Sequence, residues 1–269
     1  MTQDYSSDQK IIPETMPTTV NPDPISDTIN KSLNIQELSI AITANNFNPT
    51  ILNVDLLKLS GVIPPDWELA RPPVLSDRLA NIAFKNGINL VAQARTITIS
   101  EPVADSTGLL APDVARRYVE TLPQADYQLL HIVPKSLVAF PNHVDGAREY
   151  IVETLLAPGA WRQVGHAPVQ AALNLFYQLE RGQLSLSIQE ARLQQLDKAS
   201  VPAVLFTGSF NYDLTSHAPL ERLSNLVQLL ANCLADLATF EDIVNKKFLR
   251  QQESVFPQQD AVFPSLIKS

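Results

Sequence analysis

Cysteine is almost absent from this chain of 269 residues, which contains only Cys233. A single cysteine can form neither an intramolecular disulfide nor a cysteine cage for a metal. Leucines surround Cys233 at helical spacing, so we expect it to be a small core residue rather than a nucleophile. A chain without disulfides suits a reducing compartment, and the sequence therefore predicts a cytoplasmic protein.

Glycine is also scarce, with 8 residues spread singly along the chain against 20 prolines. These isolated glycines match neither a P-loop nor a dinucleotide-binding fingerprint. The sequence also lacks the Gly-x-Ser-x-Gly motif that presents a nucleophilic serine. We therefore predict no cofactor and no catalytic residue, with polar groups serving caps, turns and solvated faces instead of gathering into a reactive cluster.

Basic residues are outnumbered, because 20 Lys and Arg stand against 28 Asp and Glu, for a formal charge of −8. An acidic surface repels a phosphate backbone unless basic side chains cluster locally, and the densest basic pairs lie on predicted helices. We expect no nucleic-acid partner. Apolar stretches are too short to span a bilayer, and the N-terminus lacks a secretory signal, so no membrane insertion is expected.

Polar residues and proline dominate both ends of the sequence. Such segments bury too little apolar surface to offset the conformational entropy of ordering the chain. We predict a disordered N-terminal tail over residues 1–34, a single folded domain over 35–249 and a flexible C-terminal tail over 250–269.

Alternation of apolar and polar residues predicts strands throughout the folded part. Asn86-Gly87 is expected to close one hairpin with positive φ at both turn positions, and Arg181-Gly182 another. The predicted strands cover residues 37–43, 79–85, 88–94, 96–100 and 127–140, a hairpin over 169–188, and 201–214.

Helical periodicity predicts helices over residues 51–59, 112–122 and 145–156, and one long helix over 220–248. Strands joined by short turns pair antiparallel, so the expected fold class is α+β. It consists of a mostly antiparallel sheet built from hairpins, with helices packed on one face. Because the order strand, hairpin, helix occurs twice, duplicated halves over 35–124 and 125–249 are an option.

One histidine pattern offers an alternative function. His143-x-Asp145 with the distant His217 is the ligand set of a non-haem iron-dependent oxygenase. The competing interpretation makes His143 a turn residue and Asp145 the N-cap of the helix that follows. We prefer the second interpretation, because a lone His-x-Asp recurs by chance.

A short motif is repeated in the C-terminal tail. An apolar pair held extended by proline is typical of segments that dock in a groove or add to a sheet edge. We predict that both copies bind a partner protein. The residues are Val255, Phe256, Pro257, Val262, Phe263 and Pro264.

The leading hypothesis is therefore a non-catalytic protein-binding or assembly protein that acts as a scaffold through contacts with other proteins. The long helix over 220–248 could serve a homodimer, although packing on its own sheet is the preferred interpretation. A small-ligand pocket between the sheet and the helices cannot be separated from this hypothesis by sequence.

Three segments carry a resemblance to a known group of proteins. They are Asn45-Asn46-Phe47-Asn48-Pro49-Thr50, the stretch GVIPPDWELARPP over 61–73, and Phe84-Lys85-Asn86-Gly87. The chain resembles uncharacterised cyanobacterial-type proteins over about residues 45–100. The resemblance implies a bacterial cytoplasmic protein and brings no activity or site residue with it.

Overall fold

Nine strands form one antiparallel sheet in the computed structural model, which describes residues 35–103, 108–193 and 200–249. Their order across the sheet is β2-β3-β4-β5-β1-β6-β9-β8-β7. The predicted tails over 1–34 and 250–269 lie outside the described residues. The strands are β1 (Glu37–Ala44), β2 (Val74–Leu75), β3 (Leu79–Ala83), β4 (Asn89–Gln93), β5 (Thr96–Pro102), β6 (Tyr127–Ala139), β7 (Leu173–Gln178), β8 (Gln183–Leu193) and β9 (Val201–Asp213).

Five helical segments accompany the sheet in the described ranges, besides short 3₁₀ turns at Pro49–Ile51 and Ala160–Gln163. Two of them, α3 and α5, continue as π-helices over Tyr150–Leu155 and Val244–Leu249. The α-helices are α1 (Val54–Leu59), α2 (Ala111–Glu120), α3 (Gly146–Glu149), α4 (Pro219–Ala231) and α5 (Cys233–Ile243).

The core lies between the helices and one face of the sheet. Strand register places Ile40 beside Ile99 on one side and Ile132 on the other, and Ile132 beside Phe210. All four side chains are buried. Since alternate residues of a strand point to opposite faces, one face of the sheet carries this apolar set. The predicted α+β class, with a mostly antiparallel sheet, is confirmed.

The two parts of the sheet have the same strand order. Reading inward, the first part runs β3-β4-β5-β1 and the second runs β7-β8-β9-β6. The central strands β1 and β6 pair antiparallel and join the two parts. The outermost strand β2 pairs with β3, whereas the described residues provide no strand outside β7. The sheet therefore ends differently on its two sides.

The turn between β3 and β4 differs from the prediction in its backbone angles. Gly87 has a φ of 95°, but Asn86 does not adopt positive φ. The side-chain oxygen of Asn86 instead accepts a hydrogen bond of 3.1 Å from the backbone N–H of Ile88. This local bond favours a turn in which only the glycine needs the left-handed region. The expectation of positive φ at both positions was wrong.

The prediction of one long helix over 220–248 was also wrong. The chain breaks at Asn232, and the segments Pro219–Ala231 and Cys233–Leu249 meet at 49°. The side-chain amide of Asn232 donates to the carbonyl of Gln228 at 3.0 Å, beside a 3.2 Å bond from the Asn232 backbone N–H, and a side-chain bond to the carbonyl four residues back often bends a helix. No single described helix could cross a membrane by length and composition, although this bent pair together meets that test.

Close packing between β9 and α5 gives a direct test of the fold. A Cβ atom on Gly208 would lie 2.7 Å from Phe240 and 3.2 Å from Pro134. We expect Gly208→Ala to lower the free energy of unfolding by about 1–3 kcal/mol, because overpacking a core forces its neighbours out of position.

Urea denaturation of the two proteins measures this difference. Gly108→Ala is the matched control, because a Cβ there meets nothing within 4 Å. Equal stabilities for the Gly208 variant and the wild type would contradict the packing of α5 on β9.

Candidate functional site

The structure separates the three residues of the alternative iron site. Residues 129–139 of β6 pair with residues 203–213 of β9. His143 and Asp145 follow one end of this pair, and His217 follows the other. Ten residue steps of about 3.3 Å put the two ends about 33 Å apart. These side chains cannot ligate one metal ion together, so the alternative interpretation as an iron site was wrong.

His143 and Asp145 instead lie in the turn before α3. The Nε2 atom of His143 is 3.2 Å from Glu149 Oε2, and the carbonyl of His143 accepts a 3.1 Å bond from Gly146. Asp145 occupies the N-cap position, but its side chain makes no capping bond. Among the described residues, no group of three or more His, Cys, Asp or Glu side chains could hold a metal ion.

A cleft of about 510 Å³ opens between the β7–β8 turn, the end of β9 and α4. The helix break at Asn232 adds that side chain to the lining. Residues with hydrogen-bonding side chains make up most of the lining, which includes Arg181, Tyr212, His217, Asn225, Gln228 and Asn232.

A buried carboxylate lies beneath this cleft. Asp236 is 2% exposed, accepts a 2.6 Å bond from Arg181 and a 2.8 Å bond from the Tyr212 hydroxyl. Burial raises the pKa of Asp236 and also that of Tyr212 above their ordinary values. Three ionisable groups therefore meet here, a cluster that sequence reasoning did not anticipate.

The three groups satisfy one another rather than leaving a reactive atom free. Each carboxylate oxygen of Asp236 accepts one bond, and the raised pKa of Tyr212 keeps its hydroxyl protonated near neutral pH. The bonds tie the β7–β8 turn, through Arg181, to α5 and β9. Cys233, as expected, is a buried core residue, and burial raises the pKa of its thiol to about 12.

The shifted pKa of Asp236 predicts a pH dependence of stability. Because its pKa is raised in the folded state, the folded protein binds that proton more tightly than the unfolded chain does. The resulting stabilisation is complete below about pH 3.8 and is lost as the pH rises through the folded pKa. Asp236→Asn cannot titrate, so the wild-type advantage in unfolding free energy should shrink as the pH rises from about 4.

Asp213, at the rim of the same cleft, is a control because its contribution to stability should have the opposite pH dependence. Hydrogen bonds from Thr215 lower its pKa, so its stabilisation is present above the unfolded pKa and is lost as the pH falls. The wild-type advantage over Asp213→Asn should therefore grow with pH. Urea denaturation across a pH series measures both differences, and identical trends for the two variants would contradict the environment described for Asp236.

The outer side of β7 is the second notable feature. The turn after β7 closes with a 2.9 Å bond from the N–H of Leu179 to the carbonyl of Gly182. Antiparallel pairing alternates, so Leu173, Leu175 and Tyr177 exchange backbone bonds with β8. The backbone groups of the intervening residues 174, 176 and 178 therefore point away from the sheet.

Nothing in the composition of β7 blocks this edge. The strand has neither charge nor proline, and the Phe176 side chain is 68% exposed. The opposite edge is blunted, because β2 has only two residues and follows Pro72-Pro73. Natural sheets normally protect their edges by short strands, charge or proline. Among the described residues nothing protects this edge, and such an edge is a template for an added strand.

Comparison with known proteins gives no family. No family model matches the chain, and no curated protein matches it. The resemblance over residues 45–100 therefore stays a prediction.

The partner-binding residues predicted from the C-terminal motif, from Val255 to Pro264, lie outside the described residues. Sequence reasoning did not single out β7 as a binding edge, although it placed a hairpin there. The uncharged, proline-free run over residues 173–178 was the available signal.

Proposed function

We propose that this protein is a non-catalytic protein-binding or assembly protein that accepts an extended segment of a partner along the outer side of β7. One observation carries the proposal. Among the described residues, the outward backbone of β7 has no strand beside it, while β3, at the same place in the first part of the sheet, is paired with β2. An edge of this kind supports recognition by strand addition.

Backbone groups would supply most of the binding energy. Asn174, Phe176 and Gln178 each direct one N–H and one C=O outward, and each hydrogen bond contributes about 0.5–1.5 kcal/mol net. Side chains would supply the specificity. The exposed ring of Phe176 offers apolar contact on one face of the added strand, while Leu175 and Tyr177 lie on the other. The preferred partner segment is therefore uncharged and alternates apolar residues.

A proline at position 174 tests the edge without disturbing the fold. The N–H of Asn174 points away from β8, so Asn174→Pro removes an outward donor and keeps the β7–β8 ladder. Combined with Phe176→Lys, it adds a charge where the added strand would lie. We expect proteins captured from a native lysate by the full-length wild type to be depleted at least about tenfold with this double variant.

Leu59→Lys is the matched control, because Leu59 is an 88% exposed apolar residue on α1, away from β7. Quantitative mass spectrometry compares the three captures, and circular dichroism checks that each variant is folded. Equal recovery of every protein by the wild type and the folded double variant would contradict strand addition at β7.

The predicted C-terminal contact has a separate test. Ending the chain after Arg250 removes both Val-Phe-Pro copies, and we expect weaker recovery of partner proteins from the same lysate. Unchanged recovery together with an unchanged melting temperature would leave the motif without a role. The tests of the motif and of β7 are independent. Either variant can leave partner recovery unchanged while the other lowers it as expected.

A further inference from the structure

We propose that a second copy of this chain is a partner of β7, so that two copies pair antiparallel, β7 against β7, about a two-fold axis at Phe176. This inference rests on the proposed function of β7 as a strand-accepting edge. The result would be one continuous sheet through both copies.

The strand is complementary to itself in this register. Phe176 lies opposite its own copy, Asn174 opposite Gln178, and Leu175 opposite Tyr177. Amides therefore face amides, and apolar side chains face apolar side chains. Aromatic pairs directly opposite each other on neighbouring strands are among the stabilising cross-strand pairs.

The core is incomplete at this edge. Leu173, Leu175, Tyr177 and Leu179 pack against the core but remain only partly buried. They share the face of the sheet that carries the helices, because their partners Ile188, Leu186 and Leu184 on β8 are core residues. A second copy would cover this row with the same row in reverse order. The core would then continue across the junction.

Charge also favours a second copy over a charged segment. Residues 173–179 contain no ionisable side chain other than the hydroxyl of Tyr177, and the first charged residue after them is Glu180. In this register Glu180 lies opposite Ala172, so no like charges meet. The copies still repel at long range because each carries a formal charge of −8. At 0.15 M ionic strength, salt largely screens repulsion between exposed charges that are more than about 8 Å apart.

The fold already contains the same kind of junction. Its two parts, which have the same strand order, are joined by antiparallel pairing of their inner strands β1 and β6. A β7–β7 junction would repeat this pairing at the outer strand. One six-residue strand buries less area than the roughly 1,200–2,000 Å² of stable interfaces, so we expect a weak, concentration-dependent dimer.

Sedimentation equilibrium of the full-length protein over a concentration series tests the inference. The mass should rise from 29.7 kDa toward twice that value with concentration, and the rise should be steeper at higher salt. Phe176→Lys puts two like charges opposite each other at the axis, so it should weaken the dimer by about tenfold or more. Phe176→Tyr should keep the dimer, and so should the surface control Leu59→Lys.

A cysteine at position 176 tests the register proposed for the β7–β7 dimer. Opposite residues in a hydrogen-bonded antiparallel pair have Cα atoms about 5.5 Å apart, within the range of about 4.4–6.8 Å that a disulfide requires. Oxidised Phe176→Cys should therefore form a covalent dimer. The native Cys233 is buried, and Leu59→Cys is the matched exposed control.

The outcomes separate this inference from the proposed function. A wild-type mass near 29.7 kDa at every concentration would overturn the dimer, and so would a dimer that persists unchanged in Phe176→Lys. If the dimer is absent while the β7 double variant still loses captured proteins, strand addition stands and only the second copy is excluded. If the wild type forms no dimer and the β7 double variant loses no captured proteins, strand addition at β7 is contradicted as well.

Discussion

Backbone hydrogen bonding along β7 is the interaction on which this account depends. Each inner strand of the sheet exchanges bonds with two neighbours, whereas β7 bonds only to β8 among the described residues. Water can satisfy the outward groups of residues 174, 176 and 178, but a strand can satisfy them and also cover Phe176. The edge can therefore be stable in water, and the proposed partner strand would pair with the same backbone groups.

In the described part of the chain, the two C-terminal helices lie over the middle of the sheet rather than along β7. The chain turns at Asn232, and α4 and α5 both lie over the central strand β6. Asp236 then reaches Arg181 in the β7–β8 turn and fixes that turn to the helix layer. Asp236 is buried while the Arg181 side chain is 41% exposed, so removing Arg181 would leave a buried carboxylate without its charged partner and would be costly. We interpret the pair as positioning the hairpin whose outer strand is β7.

Local patterns predicted much of the fold, because strand and helix periodicity are local properties. The alternation of Leu38, Ile40 and Ile42 predicted β1 to within one residue of its end, and Pro112 and Asp113 marked the first turn of α2. The break at Asn232 was missed because the leucine periodicity around it does not indicate that its side chain bonds to the carbonyl of Gln228. The π-helix after α3 has no sequence signal that we recognise.

The candidate site could not be predicted for a different reason. Whether residues 173–178 form an inner or an outer strand depends on pairing between β6 and β9, which are distant in sequence. The meeting of Arg181, Tyr212 and Asp236 depends on the same long-range pairing. The separation of His143 from His217 is likewise a consequence of strand register, which spacing in the sequence does not contain.

Amide hydrogen exchange at individual residues of β7 tests the central claim most directly. In dilute protein, the amides of Asn174, Phe176 and Gln178 should exchange much faster than those of Leu173, Leu175 and Tyr177, which bond to β8. Equal protection of all six amides at the lowest concentration would show that the outer side of β7 is already covered within one chain. That result would contradict the account.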